Sequence, residues 1–157
     1  MSKIAPCLWF AHEAEEAANF YVSLFPDSRI DHVQKNIVDT PAGKADQVLV
    51  VNFTLAGQRF MALNGGRRIE FNHAISLEMD CADQAEVDRI WNGLLEGGTA
   101  VQCGWLADRY GISWQIVPTV LGKYLADPDQ AKAARVMLAM MQMVKLDIAE
   151  LGAAYKG

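Results

Sequence analysis

Two stretches of this chain share one pattern of apolar and polar positions. Glu16, Ala17, Phe20, Tyr21, Leu24 and Phe25 recur as Glu86, Val87, Ile90, Trp91, Leu94 and Leu95. Each set has its apolar residues at i, i+3, i+4 and i+7, the spacing of one helical stripe. Each follows a short apolar run, Ile4–Phe10 or Ala74–Met79, and leads into strand-like segments. The repeat predicts one supersecondary unit used twice.

In the first unit, Ile4–Phe10 reads as a buried strand and Ala14–Phe25 as a helix, stopped by Pro26-Asp27-Ser28. Arg29–Val38 and Gln47–Leu55 read as strands joined through Pro41-Ala42-Gly43, and Gly57 marks a tight turn into Arg59–Asn64. Gly65-Gly66-Arg67-Arg68 is the connector. The second unit opens at Asn72–Asp80. Asp83 is placed to cap a helix with Glu86 as capping-box partner, and Gly97-Gly98 ends it. Thr99–Gln102, Trp105–Ala107 and Ser113–Val117 supply three strands, with Asp108-Arg109-Tyr110-Gly111 turning the last hairpin.

The tail beyond Pro118 has no counterpart in the first unit. Asp127-Pro128 reads as an N-cap followed by a first-turn proline. A helix over Asp129–Lys145 follows, with a stripe of Ala133, Val136, Met137, Met140, Met141 and Val144, then a short helix over Ile148–Tyr155. The methionines suit either packing on the chain's own sheet or an adaptable dimer contact. The predicted organisation is one domain: modules at 3–64 and 72–118 and a helical tail at 119–157.

Composition narrows the partners. A net charge of −5 and no basic cluster longer than Arg67-Arg68 argue against nucleic acid. No segment approaches the roughly 18 apolar residues of a membrane span, and the N-terminus carries no signal-peptide pattern. Cys7, Cys81 and Cys103 are odd in number and widely spaced, which fits a reducing cytoplasm better than a disulfide framework.

The paired layout resembles the vicinal oxygen chelate superfamily, the glyoxalase/bleomycin-resistance and dihydroxybiphenyl dioxygenase-like fold. More narrowly, Ile4–Phe10 with Ala14-Glu15-Glu16-Ala17 looks like the opening of the PhnB-like family. Phe20–Ser28, Gly57–Gly66, Cys103-Gly104-Trp105-Leu106 and Asp108–Pro118 extend the likeness over nearly the whole chain. The resemblance implies an α+β fold, two βαβββ modules forming a curved mixed sheet with a cavity, plus C-terminal helices. It also implies a homodimer. The family often carries a 3-demethylubiquinone-9 3-methyltransferase label. Methyl transfer on the usual α/β scaffold would need a strand and a Gly-rich turn opening a helix; Gly65-Gly66 precedes a basic loop, and Gly97-Gly98 ends a helix.

Superfamily members hold a divalent metal through His, Glu or Gln on the first and last strands of the units. Registering this chain on its helices puts Pro6, Ser76 (or Ala74), Met61 or Ala62, and Gln115 at those positions. Only Gln115 offers a suitable donor, so no metal and no other cofactor is expected. His12, His32 and His73 form no ligand motif and read as surface residues.

With Pro6 and Ser76 facing the cavity, strand alternation brings in Leu8, Phe10, Glu78 and Asp80 and turns Cys7 and Trp9 towards the helices. Gln115, Ser113 and Val117 face in, with Trp114 and Ile116 beneath the helices. Asn52 and Thr54 share a face, Cys103 and Trp105 share another, and Asn64 ends its strand. Glu78, desolvated in such a pocket, would serve as general base or acid; on an open rim it is a solvated carboxylate. Gln115 would orient a substrate. Phe10, Asn52, Asn64, Ser76, Trp105 and Ser113 complete the ligand-binding set. The expected function is binding of a small organic molecule, with metal-independent catalysis as one extension and resistance-type binding without catalysis as the alternative. The methyltransferase reading ranks below both.

Overall fold

In the computed structural model, residues 3–157 are described. The chain divides into two compact units, Met1–Glu70 and Phe71–Gly157. The first contains β1 (Cys7–Phe10), α1 (Ala14–Leu24), β2 (Arg29–Lys35), β3 (Val48–Leu55) and β4 (Gln58–Asn64). The second contains β5 (Ser76–Cys81), α2 (Gln84–Leu95), β6 (Thr99–Ala100), β7 (Trp105–Ala107) and β8 (Ser113–Pro118). Three further helices follow: α3 (Thr119–Leu125), α4 (Gln130–Met140) and α5 (Ile148–Lys156).

The duplication read from the apolar pattern is present in the topology. The sheet orders are β1-β4-β3-β2 and β5-β8-β7-β6, one four-stranded sheet per module. In each, the first strand runs parallel to the last and the remaining pairs are antiparallel. The helix between first and second strands supplies the crossover that a parallel pair requires. This is the α+β, paired βαβββ architecture, with the strands hydrogen-bonded as two sheets.

Each helix covers one sheet face. In α1 the buried positions are Ala14, Ala17, Ala18 and Tyr21. Three alanines let the helix approach closely, and Tyr21 stacks on Phe53 of β3 at 6.4 Å. Phe20 and Leu24, expected on the stripe, are half-buried at its margin. In α2 the expected stripe of Val87, Ile90, Trp91 and Leu94 is buried throughout. Asp83 caps α2 through Glu86 N at 2.9 Å, and Glu86 reaches back to Ala82 N at 2.8 Å.

The tail departs from the sequence reading. Helix α3 was not expected; it starts directly after Pro118, which ends β8. Asp129, not Asp127, caps α4, accepting from Ala131 N at 3.0 Å. The helix stops at Met140, because the following segment is held by another partner: Cys103 N donates to Met143 O at 2.8 Å and Gly104 N to Val144 O at 2.7 Å. The buried set is therefore Leu121, Val136, Met143, Leu146 and Leu151. Met137, Met141 and Val144, expected on the stripe, are exposed. Gln84 ties this segment to α2, donating to Leu146 O at 3.2 Å and accepting from Ile148 N at 2.8 Å. No helix of the described residues is long and apolar enough to cross a membrane.

Candidate functional site

The face of each sheet opposite its helix is where a ligand could bind, and strand register identifies the residues on it. In the first sheet, Leu8 pairs with Ala62 and Ala62 with Val51, all buried. Phe10 pairs with Asn64 on the same buried face. The opposite face carries Cys7, Trp9, Met61, Leu63, Val50 and Asn52.

This inverts the expected phase of β1. Leu8 and Phe10 are core, while Cys7 is exposed and Trp9 half-buried. Ile4–Phe10 is apolar at almost every position, so its alternation carries no phase; pairing with β4 sets it. Phe10 therefore lies away from the open face. So does Asn64, whose side chain is fully engaged: Oδ1 accepts from Ala14 N at 2.9 Å and Nδ2 donates to Val48 O at 2.9 Å. Glu13 makes no side-chain cap bond at the start of α1, and Asn64 satisfies that first-turn donor instead. It docks the helix on the sheet, and it also lines a hollow of about 510 Å³ with His12, Glu15, Lys35 and Asp46.

Asn52 does line a hollow. With Arg29, Asp31, Thr54, Gly57, Gln58 and Arg59 it encloses about 580 Å³ on the open side of the first sheet. That volume lies within the ordinary range of small-molecule sites. Asp31 anchors the wall: Arg29 Nε is 2.8 Å from Oδ1, and Thr54 Oγ1 donates to Oδ2 at 2.6 Å.

In the second sheet the expected phase is observed. Trp105, Gln115 and Glu78 lie opposite one another across β7, β8 and β5. The adjacent row is Ala107, Ser113 and Ser76. Leu106, Trp114 and Ile116 lie on the other face and are buried, as is Cys81. Gln115 Nε2 donates to Ser76 Oγ at 2.9 Å, leaving Gln115 Oε1 as an acceptor for a guest. Trp105 offers a flat apolar surface beside it. Glu78 is exposed, so its own module does not supply the enclosure on which its expected acid–base role depends. Cys103 is in a turn at φ 60°, outside any strand, so the face it was expected to share with Trp105 is not defined for it.

His73, read as a surface residue, is exposed, and its ring engages the second sheet. Its Nδ1 lies 2.6 Å from Ser113 Oγ, and its ring meets Trp105 edge-on at 6.2 Å between centroids. Ser113 is buried beneath it. A pair separated by 40 positions leaves no local pattern; the one available hint was a histidine at the mouth of a strand.

Cys81 and Cys7 are poor nucleophiles. Burial pushes the Cys81 thiol up to about 12, and desolvation also raises Cys7. At the positions the resemblance implies for a metal, the first module presents Met61, with Pro6 bonded to it through the backbone, and the second presents Ser76 and Gln115. A thioether, a proline and a serine already bonded to the glutamine do not fit a hard divalent cation. Among the described residues no group of three or more His, Cys, Asp or Glu could hold a metal ion.

Paired βαβββ modules with a helix on one face and a polar open face on the other define a glyoxalase/bleomycin-resistance-type protein of the vicinal oxygen chelate superfamily. The family profile described as 3-demethylubiquinone-9 3-methyltransferase matches residues 2–117, and the chain belongs to this PhnB-like family. The PhnB protein from Bacillus cereus is 35% identical over 75% of this chain and 100% of its own, with a TM-score of 0.67. Protein PA1353 from Pseudomonas aeruginosa is 20% identical over 75% of this chain and 98% of its own, with a TM-score of 0.57. The fosfomycin resistance protein FosX from Listeria monocytogenes, complexed with Mn(II) and sulfate, is 12% identical over 79% of this chain and 94% of its own (TM-score 0.54). The last two likenesses concern the fold alone. No curated protein matches the chain.

Proposed function

We propose that the protein binds a small organic molecule on the sheet faces opposite α1 and α2, without a metal. The observation that carries this reading is the hollow of about 580 Å³ over the first sheet, lined by hydrogen-bonding side chains including Asn52. The row of Trp105, Gln115 and Glu78, with Ser76 bonded to Gln115, adds a stacking surface and directed polar groups in the second module. If the guest is turned over, Glu78 is the assigned proton acceptor and Gln115 the orienting group, with Trp105, Ser76 and Ser113 in the binding surface. The reading places the protein in the cytoplasm as a homodimer, in which exposed Met137, Leu138, Met141 and Val144 would be covered by the second copy.

The test is native mass spectrometry of small molecules retained by the purified protein, repeated on Gln115→Ala and Asn52→Ala. A retained species lost in either variant supports the reading. Retention unchanged in both, or no retained species in the parent protein, defeats it. S-adenosylmethionine added in parallel tests the chemistry named in the family description; a methylated product would replace our reading with that one.

A further inference from the structure

We propose that the hollow on the first sheet is a carboxylate-binding site and that Arg59 is its anion-pairing group. The inference rests on the reading that this hollow takes a small organic molecule, and it specifies the charge of that guest. Arg29, Thr54 and Arg59 lie directly opposite one another across β2, β3 and β4. Two arginines therefore flank one threonine, their backbones about 10 Å apart at the usual strand spacing.

A single carboxylate compensates them. A register shift between Ile30 and His32 lies at Asp31; such irregularities re-aim side chains, and Asp31 is held by Arg29 at 2.8 Å and Thr54 at 2.6 Å. Both of its oxygens are thus engaged, and it neutralises Arg29. The Arg59 backbone carbonyl accepts from Gln58 Nε2 at 2.9 Å, and among the described residues no carboxylate pairs with the Arg59 guanidinium. The hollow carries a surplus of one positive charge in a chain of net charge −5.

That surplus selects a monoanion. A guanidinium fork matches a carboxylate through two parallel hydrogen bonds, and the Asn52 amide lies on the neighbouring row to hold a second polar group of the guest. A dianionic phosphate would gain less, because the Asp31 carboxylate opposes the additional charge. An isolated exposed ion pair contributes little, and Arg59 is exposed; the two-bond fork and the Asn52 contact add to it.

The experiment follows the Asn52 side-chain amide resonances, together with Arg59 Nε–Hε in the parent protein, in the full-length protein during titration with benzoate, its neutral counterpart benzamide, and inorganic phosphate. The expected result is a saturable benzoate shift, no comparable response to benzamide or phosphate, and an affinity at least tenfold weaker in Arg59→Gln. A folded Arg59→Gln protein that keeps benzoate affinity overturns the proposal. So does tighter phosphate binding, equal binding of benzoate and benzamide, or no saturable benzoate response. Equal binding, or a neutral molecule retained in native mass spectrometry, would leave the small-molecule reading standing while the carboxylate assignment falls.

Discussion

Trp114 donates its indole N–H to the buried carboxylate of Asp108 at 2.9 Å, linking β8 to the loop that precedes it. The other oxygen of Asp108 accepts from Tyr110 N at 2.9 Å and Ile112 N at 3.1 Å. One side chain thus shapes the hairpin that presents Ser113 and Gln115. Asp108→Ala would strand an indole donor and at least one buried amide, at a cost of about 3 kcal/mol. Urea unfolding followed by tryptophan fluorescence should show the lower midpoint; an unchanged midpoint would refute this role.

Gly65 leaves no room for a side chain. A Cβ there would lie 1.9 Å from the ring of Trp9, which is fixed by a 2.8 Å hydrogen bond from Nε1 to Arg67 O. Gly65→Ala should therefore cost about 2 kcal/mol, the usual scale of overpacking. Trp9→Leu removes the obstructing ring, so in the double variant the glycine substitution should cost much less. Additive losses in a double-mutant cycle would show that the two residues do not compete for space.

Ala56 and Gly57 connect β3 and β4 with φ values of 45° and 81°. Both central residues are left-handed, as in a type I′ hairpin turn, for which Asn-Gly is the preferred pair. Alanine is disfavoured there. Ala56→Asn should raise stability by about 0.5–1 kcal/mol, read as a higher thermal midpoint. The Ala56 N–H bonds Ser28 Oγ at 3.0 Å and would be retained. A lower midpoint would show that the turn depends on alanine for another reason.

What the sequence made legible follows periodicity. The helix α2 stripe, its Asp83 cap and the shared face of Ser76, Glu78, Ser113 and Gln115 could be read because polar and apolar positions alternate there. In β1 they do not, and Phe10 was placed on the wrong face. Nothing local announces that Asn64 serves Ala14, 50 positions away. Arg29 and Arg59 became neighbours of one hollow only through two strand registers. His73 and Ser113 likewise met through a fold, not a motif. The methionine pattern suits either the chain's own sheet or a second copy; periodicity alone carries the helix past Met140, where backbone bonds at Cys103 and Gly104 hold the following segment instead.

The tail offers a pH-dependent clasp. Tyr155 donates its hydroxyl to the Asp127 carboxylate, stacks on Tyr124 at 4.4 Å between ring centroids, and lies under Lys132. The hydrogen bond from Tyr155 holds the Asp127 carboxyl below its ordinary range. The same bond, with desolvation and the surrounding negative charge, pushes the Tyr155 phenol above its own. The signs differ at the two ends. A depressed carboxylate contributes stability above its unfolded pKa and loses it as pH falls through the folded value. A raised phenol contributes below its unfolded pKa and loses it as pH rises through the folded one. The clasp should therefore hold across neutral pH and weaken in both strong acid and strong base. Asp127→Asn removes the acid-side loss and lets Tyr155 ionise at lower pH than in the parent protein. Ring-carbon NMR should show the Tyr155 resonance titrating above the ordinary phenol range in the parent protein and at lower pH in the variant. If Tyr155 titrates alike in both proteins, Asp127 does not control the phenol, and α5 is held by Leu151 packing and by Arg135, whose guanidinium donates to Ala154 O and Tyr155 O at 3.0 Å.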